Sequence, residues 1–155
     1  MTVVGRRWRT HGYLCQAPGR SMHEPESPPA AMTVAVADEA ATRWGIANLI
    51  ARLARLAVQD ELLVVYGSAG GVPVYAHAVL TGLRACLPRH DVVAMRLWPA
   101  DDVVGWRDGA VLDELMECGA VPMVLTSAAA APKVAVELSA RLRADRILTL
   151  PHRTA

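Results

Sequence analysis

Apolar residues in this chain come in two rhythms that alternate. Short continuous runs at Thr33–Ala37, Leu62–Tyr66, Val92–Trp98, Val121–Thr126 and Ile147–Leu150 have the length of buried strands. Between them the apolar positions recur every three or four residues. Over Glu39–Val58, Ile46, Leu49, Ile50, Leu53, Leu56 and Ala57 share one face, while Arg43, Arg52 and Arg55 lie elsewhere. In Ala110–Cys118, Val111, Leu112, Leu115 and Met116 oppose Asp113, Glu114 and Glu117, and Gly119 suits the position just past a helix end. Pro73 opens one further predicted helix, and Pro132–Ala144 forms another. Strands alternating with helices of this length predict a three-layer α/β/α domain with a mostly parallel sheet of about five strands and right-handed crossovers.

The regular pattern occupies residues 32–150 and predicts a single domain. Residues 1–31 show no sustained period and end in Glu-Pro-Glu-Ser-Pro-Pro-Ala-Ala, which reads as a disordered extension. Their scattered arginines are not followed by the apolar segment of a secretory signal. Met32 is a second candidate start, because a strand begins there. Pro151 stops the last strand, leaving residues 151–155 as a tail.

The pattern also repeats. A single shift of the chain along itself puts Val65 on Val124, Ser68-Ala69 on Ser127-Ala128, Pro73 on Pro132, and Leu83-Arg84-Ala85 on Leu142-Arg143-Ala144. The predicted order of strand, helix, strand, small-residue loop and Pro-initiated helix occurs twice. This points to an internal βαβα duplication, set against the self-similarity of any regular α/β chain rich in Ala, Leu and Arg.

Composition narrows the function. The chain has 155 residues, 53% hydrophobic and 20% charged, with a formal net charge of +1, which gives no global drive toward nucleic acid or an anionic membrane. No apolar run reaches the roughly 18 residues of a membrane span. Cys15, Cys86 and Cys118 are odd in number and lack metal-ligand spacing, so reduced, partly buried thiols in a cytoplasmic protein are expected.

Candidate chemistry lies in two βα loops. Gly67-Ser68-Ala69-Gly70-Gly71 follows a strand and precedes a helix, where glycines permit close backbone approach and helix amides attract anions. It matches neither the phosphate-loop pattern, which needs a lysine, nor the dinucleotide fingerprint. A tight structural turn is the plainer reading, and ligand contact through Gly67, Ser68, Gly70 and Gly71 stands beside it. The second loop supplies Thr126, Ser127 and Lys133, either as an anion site or as a plain helix start with a solvated lysine. His77 reads as a structural histidine, or as an acid–base group beside the glycine loop. Asp101 and Asp102 read as turn residues, flanked by Trp98 and Trp106. Spacing assembles no catalytic triad and no metal cluster, and no cofactor is implied.

The order of segments from Met32 resembles the first part of the amino acid kinase superfamily. Strand Thr33–Ala37, the helix to Val58, and Glu61-Leu-Leu-Val-Val-Tyr-Gly-Ser-Ala-Gly-Gly follow its opening strand, helix and glycine loop. Val111-Leu-Asp-Glu-Leu-Met-Glu-Cys-Gly-Ala-Val-Pro-Met-Val resembles its helix-Gly-x-h-Pro-h-h segment, and Val134–Leu150 its following helix and strand. The departures are specific. The first strand, TVAVADE, lacks the family's lysine and Gly-Gly pair, Pro151-His152 stands where Thr-Asp is usual, and the nucleotide-binding half has no counterpart. The resemblance therefore implies an acceptor-side contact at Gly67, Gly70 and Gly71 without phosphoryl transfer.

Three functional expectations follow. The first is a non-catalytic domain binding a small anionic ligand or a protein partner through its βα loops. The second is a structural or regulatory subunit of a homo- or hetero-oligomer with no ligand site. The third is a small enzyme using His77 beside the glycine loop. Both loops leave equivalent strands, so both should open on one edge of the sheet.

Overall fold

A computed structural model describes residues 31–68, 75–97 and 108–150. Five parallel strands form one sheet in the order β3-β4-β2-β1-β5: β1 Met32–Asp38, β2 Glu61–Ser68, β3 Val92–Arg96, β4 Val121–Ser127 and β5 Arg146–Thr149. Among the described residues five helices accompany them: α1 Glu39–Trp44, α2 Ile46–Gln59, α3 Ala76–Cys86, α4 Gly109–Glu117 and α5 Ala131–Leu142. The three-layer α/β expectation holds, and the sheet is wholly parallel.

Strand alternation divides the core in two. Ala35, Leu62, Val64, Tyr66 and Met123 pack against Leu49, Leu53, Val79 and Leu83 of α2 and α3. Val34, Val36, Leu63, Val65 and Val124 pack against Leu112 and Met116 of α4 and Leu138 of α5. Helices α1–α3 therefore cover one face and α4–α5 the other. Central β2 has all eight residues buried, as expected of a strand covered on both faces.

The predicted helix over 39–58 is two helices. Gly45 interrupts it with extended backbone, and its N–H closes α1 onto Thr42 O at 3.1 Å. Glycine is a weak helix former, so the break falls at the position where helix costs most. Asp38 caps α1 by accepting from Ala41 N at 3.0 Å. Gly82 lets α3 lie against α2, since a Cβ there would collide with Ile50 Cδ1. Cys86 is free but exposed, and Cys118 is disulfide-bonded, so the expectation of reduced, partly buried thiols fails for Cys118 in redox state and for Cys86 in burial.

The sequence repeat has a geometric counterpart in the pairing register. Met32 faces Glu61 and Val92 faces Val121, so the sequence separation across the pair is the same in both halves. Between the halves Val64 faces Met123 and Gly67 faces Thr126, the very shift that overlays the sequence on itself. The half β1-α2-β2-α3 builds leftward on one face, and β3-α4-β4-α5 builds rightward on the other. They meet at β2 and β4.

Both α4 and α5 end in a Schellman motif. For α4, Ala120 N donates to Leu115 O and Gly119 N to Met116 O, with Gly119 left-handed at φ 84°. For α5, Ala144 N donates to Ser139 O and Arg143 N to Ala140 O, with Arg143 at φ 56°. An arginine carries a steric cost there that glycine lacks. Arg143→Gly is expected to raise unfolding stability by about 0.5–1 kcal/mol, read by urea denaturation.

Candidate functional site

The carboxyl ends of β2 and β4 adjoin on the same edge of the sheet; the loop after β2 lies outside the described residues. Gly67 pairs with Thr126 and Ser68 with Ser127. Beyond them α3 packs on one face and α5 on the other, so the winding of the sheet reverses between these two strands. Among the expected site residues, this brings Gly67, Ser68, Thr126 and Ser127 together. Lys133 stands exposed in the first turn of α5. Gly70, Gly71, Pro73, Trp98, Asp101, Asp102 and Trp106 lie outside the described residues, as do 1–30 and 151–155. His77 is exposed on α3.

Gly67 is required by packing. A Cβ there would stand 2.8 Å from Ala128 Cα and 3.1 Å from Ala131 Cβ. The second loop thus rests directly on β2, and Ala128 N donates to Ser68 O at 3.0 Å. Ser127 steadies this turn, its Oγ accepting from Ala130 N at 3.1 Å. The start of α5 has no side-chain cap among the described residues and no acidic residue in its first turn, and Pro132 contributes no amide. Thr126 is buried (1% exposed), and its Oγ1 has no hydrogen-bond partner among the described residues.

Beside the seam lies a polar cluster that the sequence reading omitted. Tyr66 is wholly buried, yet its hydroxyl reaches the carboxyl edge, donating to Glu39 Oε2 at 3.0 Å and meeting Thr42 Oγ1 at 2.9 Å. Thr42 Oγ1 also donates to Asp38 O at 3.0 Å. Glu39 Oε2 accepts a second, longer bond from Tyr75 N at 3.4 Å. Burial raises the Tyr66 phenol well above its usual range; Glu39 and Asp38 add to the rise, and the Thr42 hydrogen bond opposes it. One signal for the cluster was readable: Tyr66 is the lone polar-tipped side chain in the run Leu62–Tyr66, and Asp38-Glu39 opens a helix.

The opposite, amino edge is stitched rather than open. Arg146 bonds Asp60 Oδ2 at 2.8 Å and Thr33 Oγ1 at 3.0 Å, and Thr33 Oγ1 donates to Asp60 at 2.8 Å. Asp145 accepts from Met32 N at 2.6 Å. Among the described residues no group of three or more His, Cys, Asp or Glu could hold a metal ion, and no helix is long and apolar enough to cross a membrane. The chain matches no protein-family model and no curated protein sequence.

Two outcomes follow. Gly67→Ala forces the β4–α5 backbone off β2 and should lower stability by about 1–3 kcal/mol in urea denaturation. The unfolded chain releases the Tyr66 proton above about pH 10, while the folded chain retains it. The unfolded state then binds fewer protons, so stability falls as pH rises past that point. Measured from about pH 9 upward, the decline should be shallower in Tyr66→Phe than in the unsubstituted protein.

Proposed function

We propose that this chain is a small-ligand-binding α/β domain whose site is the seam between β2 and β4, and that the ligand presents an anionic group to the start of α5. The observation that carries this reading is the reversal of winding at that seam, where α3 and α5 leave adjacent strand ends for opposite faces. Two features favour an anion. The first turn of α5 is uncapped and free of acid, with Lys133 beside it. The Thr126 hydroxyl, unpartnered among the described residues, and that of Ser127 can donate to a ligand oxygen.

The reading is one of binding, not turnover. His77 is exposed, and no described side chain orients it as an acid–base group. The likeness to the amino acid kinase superfamily enters the proposal as an architecture and an acceptor-side turn. Strand β1 carries no lysine and no glycine pair for nucleotide phosphates.

Calorimetric titration with nucleotides and with acidic amino acids tests the proposal, alongside amide shifts at Ser68, Thr126, Ser127 and Ala131. At least one class should release heat and shift those amides. Silence from both classes, or shifts confined to the amino edge, would sink it. Thr126→Val supplies an independent check. It removes a buried hydroxyl whose isolation costs about 1–3 kcal/mol, so the variant should be the more stable protein while binding the ligand less tightly.

A further inference from the structure

Glu39 belongs to α1, yet its carboxylate touches both sides of the first βα turn. Tyr66 lies in β2 before the turn and donates to Glu39 Oε2 at 3.0 Å. Tyr75 lies at the start of α3 after the turn and directs its backbone N–H to the same oxygen at 3.4 Å. The Tyr66 ring is fully buried, so its hydroxyl is a fixed point, and Thr42 braces it at 2.9 Å from one turn along α1. Asp38 holds α1 in place through its cap.

The second βα turn is held differently. Ser127 accepts from Ala130 N, and Ala128 N donates to Ser68 O, so that turn is fastened by itself and by β2. Under the shift that puts Val65 on Val124, Glu39 falls on Trp98, so the carboxylate has no counterpart in the second half. The seam thus has one self-supporting turn, while on the other side Tyr66 and Tyr75, either side of residues 69–74, are tied to α1.

We infer that Glu39 is a positioning residue for the seam: it sets the separation between the end of β2 and the start of α3, and so the shape the seam offers its ligand. The effect on binding rests on the ligand reading above. The tie between Tyr66, Glu39 and Tyr75 stands apart from it, and the test separates the two.

Amide hydrogen exchange on the full chain measures the tie. In Glu39→Ala the Tyr75 amide should exchange about ten-fold faster, the scale of one lost charge-assisted hydrogen bond. Glu39→Gln, which keeps an acceptor oxygen, should restore part of that protection. The amide of Leu112, on the opposite helical layer, should not change. Unaltered Tyr75 exchange, or equal acceleration at Leu112, overturns the inference. Should Glu39→Ala not fold, Tyr66→Phe deletes only a hydroxyl and should still speed Tyr75 exchange several-fold. A ligand found by calorimetry should bind about ten-fold more weakly to Glu39→Ala and recover partly in Glu39→Gln; equal affinity in all three proteins overturns the positioning role. If calorimetry finds no ligand, the ligand reading fails, and the exchange rates alone decide the tie.

Discussion

The carboxyl edge depends on how closely the backbone of the second βα turn approaches β2 at Gly67. A virtual Cβ 2.8 Å from Ala128 Cα leaves no room for any other residue without moving main chain. That approach lets Ala128 N continue the sheet's hydrogen bonding onto Ser68 O and brings Ala131, the first residue of α5, down over β2. From there α5 lies across the face of Val36, Leu63 and Val65. The glycine therefore decides where a helix of twelve residues begins, and with it which polar groups surround the seam.

Around that contact the sheet separates its chemistry by edge. Its middle is aliphatic on both faces, Ala35, Val64 and Met123 on one and Val34, Val65 and Val124 on the other. Polarity returns only at the strand ends. At the amino edge Thr33, Asp60 and Arg146 satisfy one another, which fastens the short β5 to β1. At the carboxyl edge Tyr66, Thr42 and Glu39 are likewise engaged, but among the described residues Thr126 Oγ1 is not. A buried hydroxyl without a partner is destabilising, and valine would fill the same space. One unmatched polar atom thus lies at the edge where parallel sheets gather ligands, although His90 Nδ1, just before β3 at the opposite edge, also has no hydrogen-bond partner among the described residues.

The strands were legible because covered parallel strands are written as continuous apolar runs; all five appear within a few residues of their predicted bounds. Gly119 was legible for a local reason too, since a left-handed residue after a helix selects glycine. Arg143 occupies the same conformation without that signature, and only the hydrogen bonds of Ala144 and Arg143 reveal it. The break at Gly45 was hidden by an apolar stripe that continues through it. The polar cluster escaped because its partners are far apart in sequence: Tyr66 meets residues 24 and 27 positions earlier. Local pattern places Tyr66 on a strand and Glu39 on a helix, and only strand order and register set them side by side.

The repeat gives the clearest physical lesson. A chain that overlays itself at one fixed shift could be nothing more than a limited alphabet, but strand pairing imposes a separate test. The two βαβ units share one register, Met32 on Glu61 and Val92 on Val121, and the β2–β4 ladder that joins them runs in the register of the repeat itself. Equivalent residues therefore stand directly opposite each other. Equivalence of position has not kept equivalence of chemistry. Where the first half has Gly67, needed for close approach, the second has Thr126, a buried hydroxyl. Where the first half places a carboxylate beside its turn, the second relies on Ser127. One half thus makes room for the close approach and the other fills it, so the packing at the seam between β2 and β4 is built from both halves.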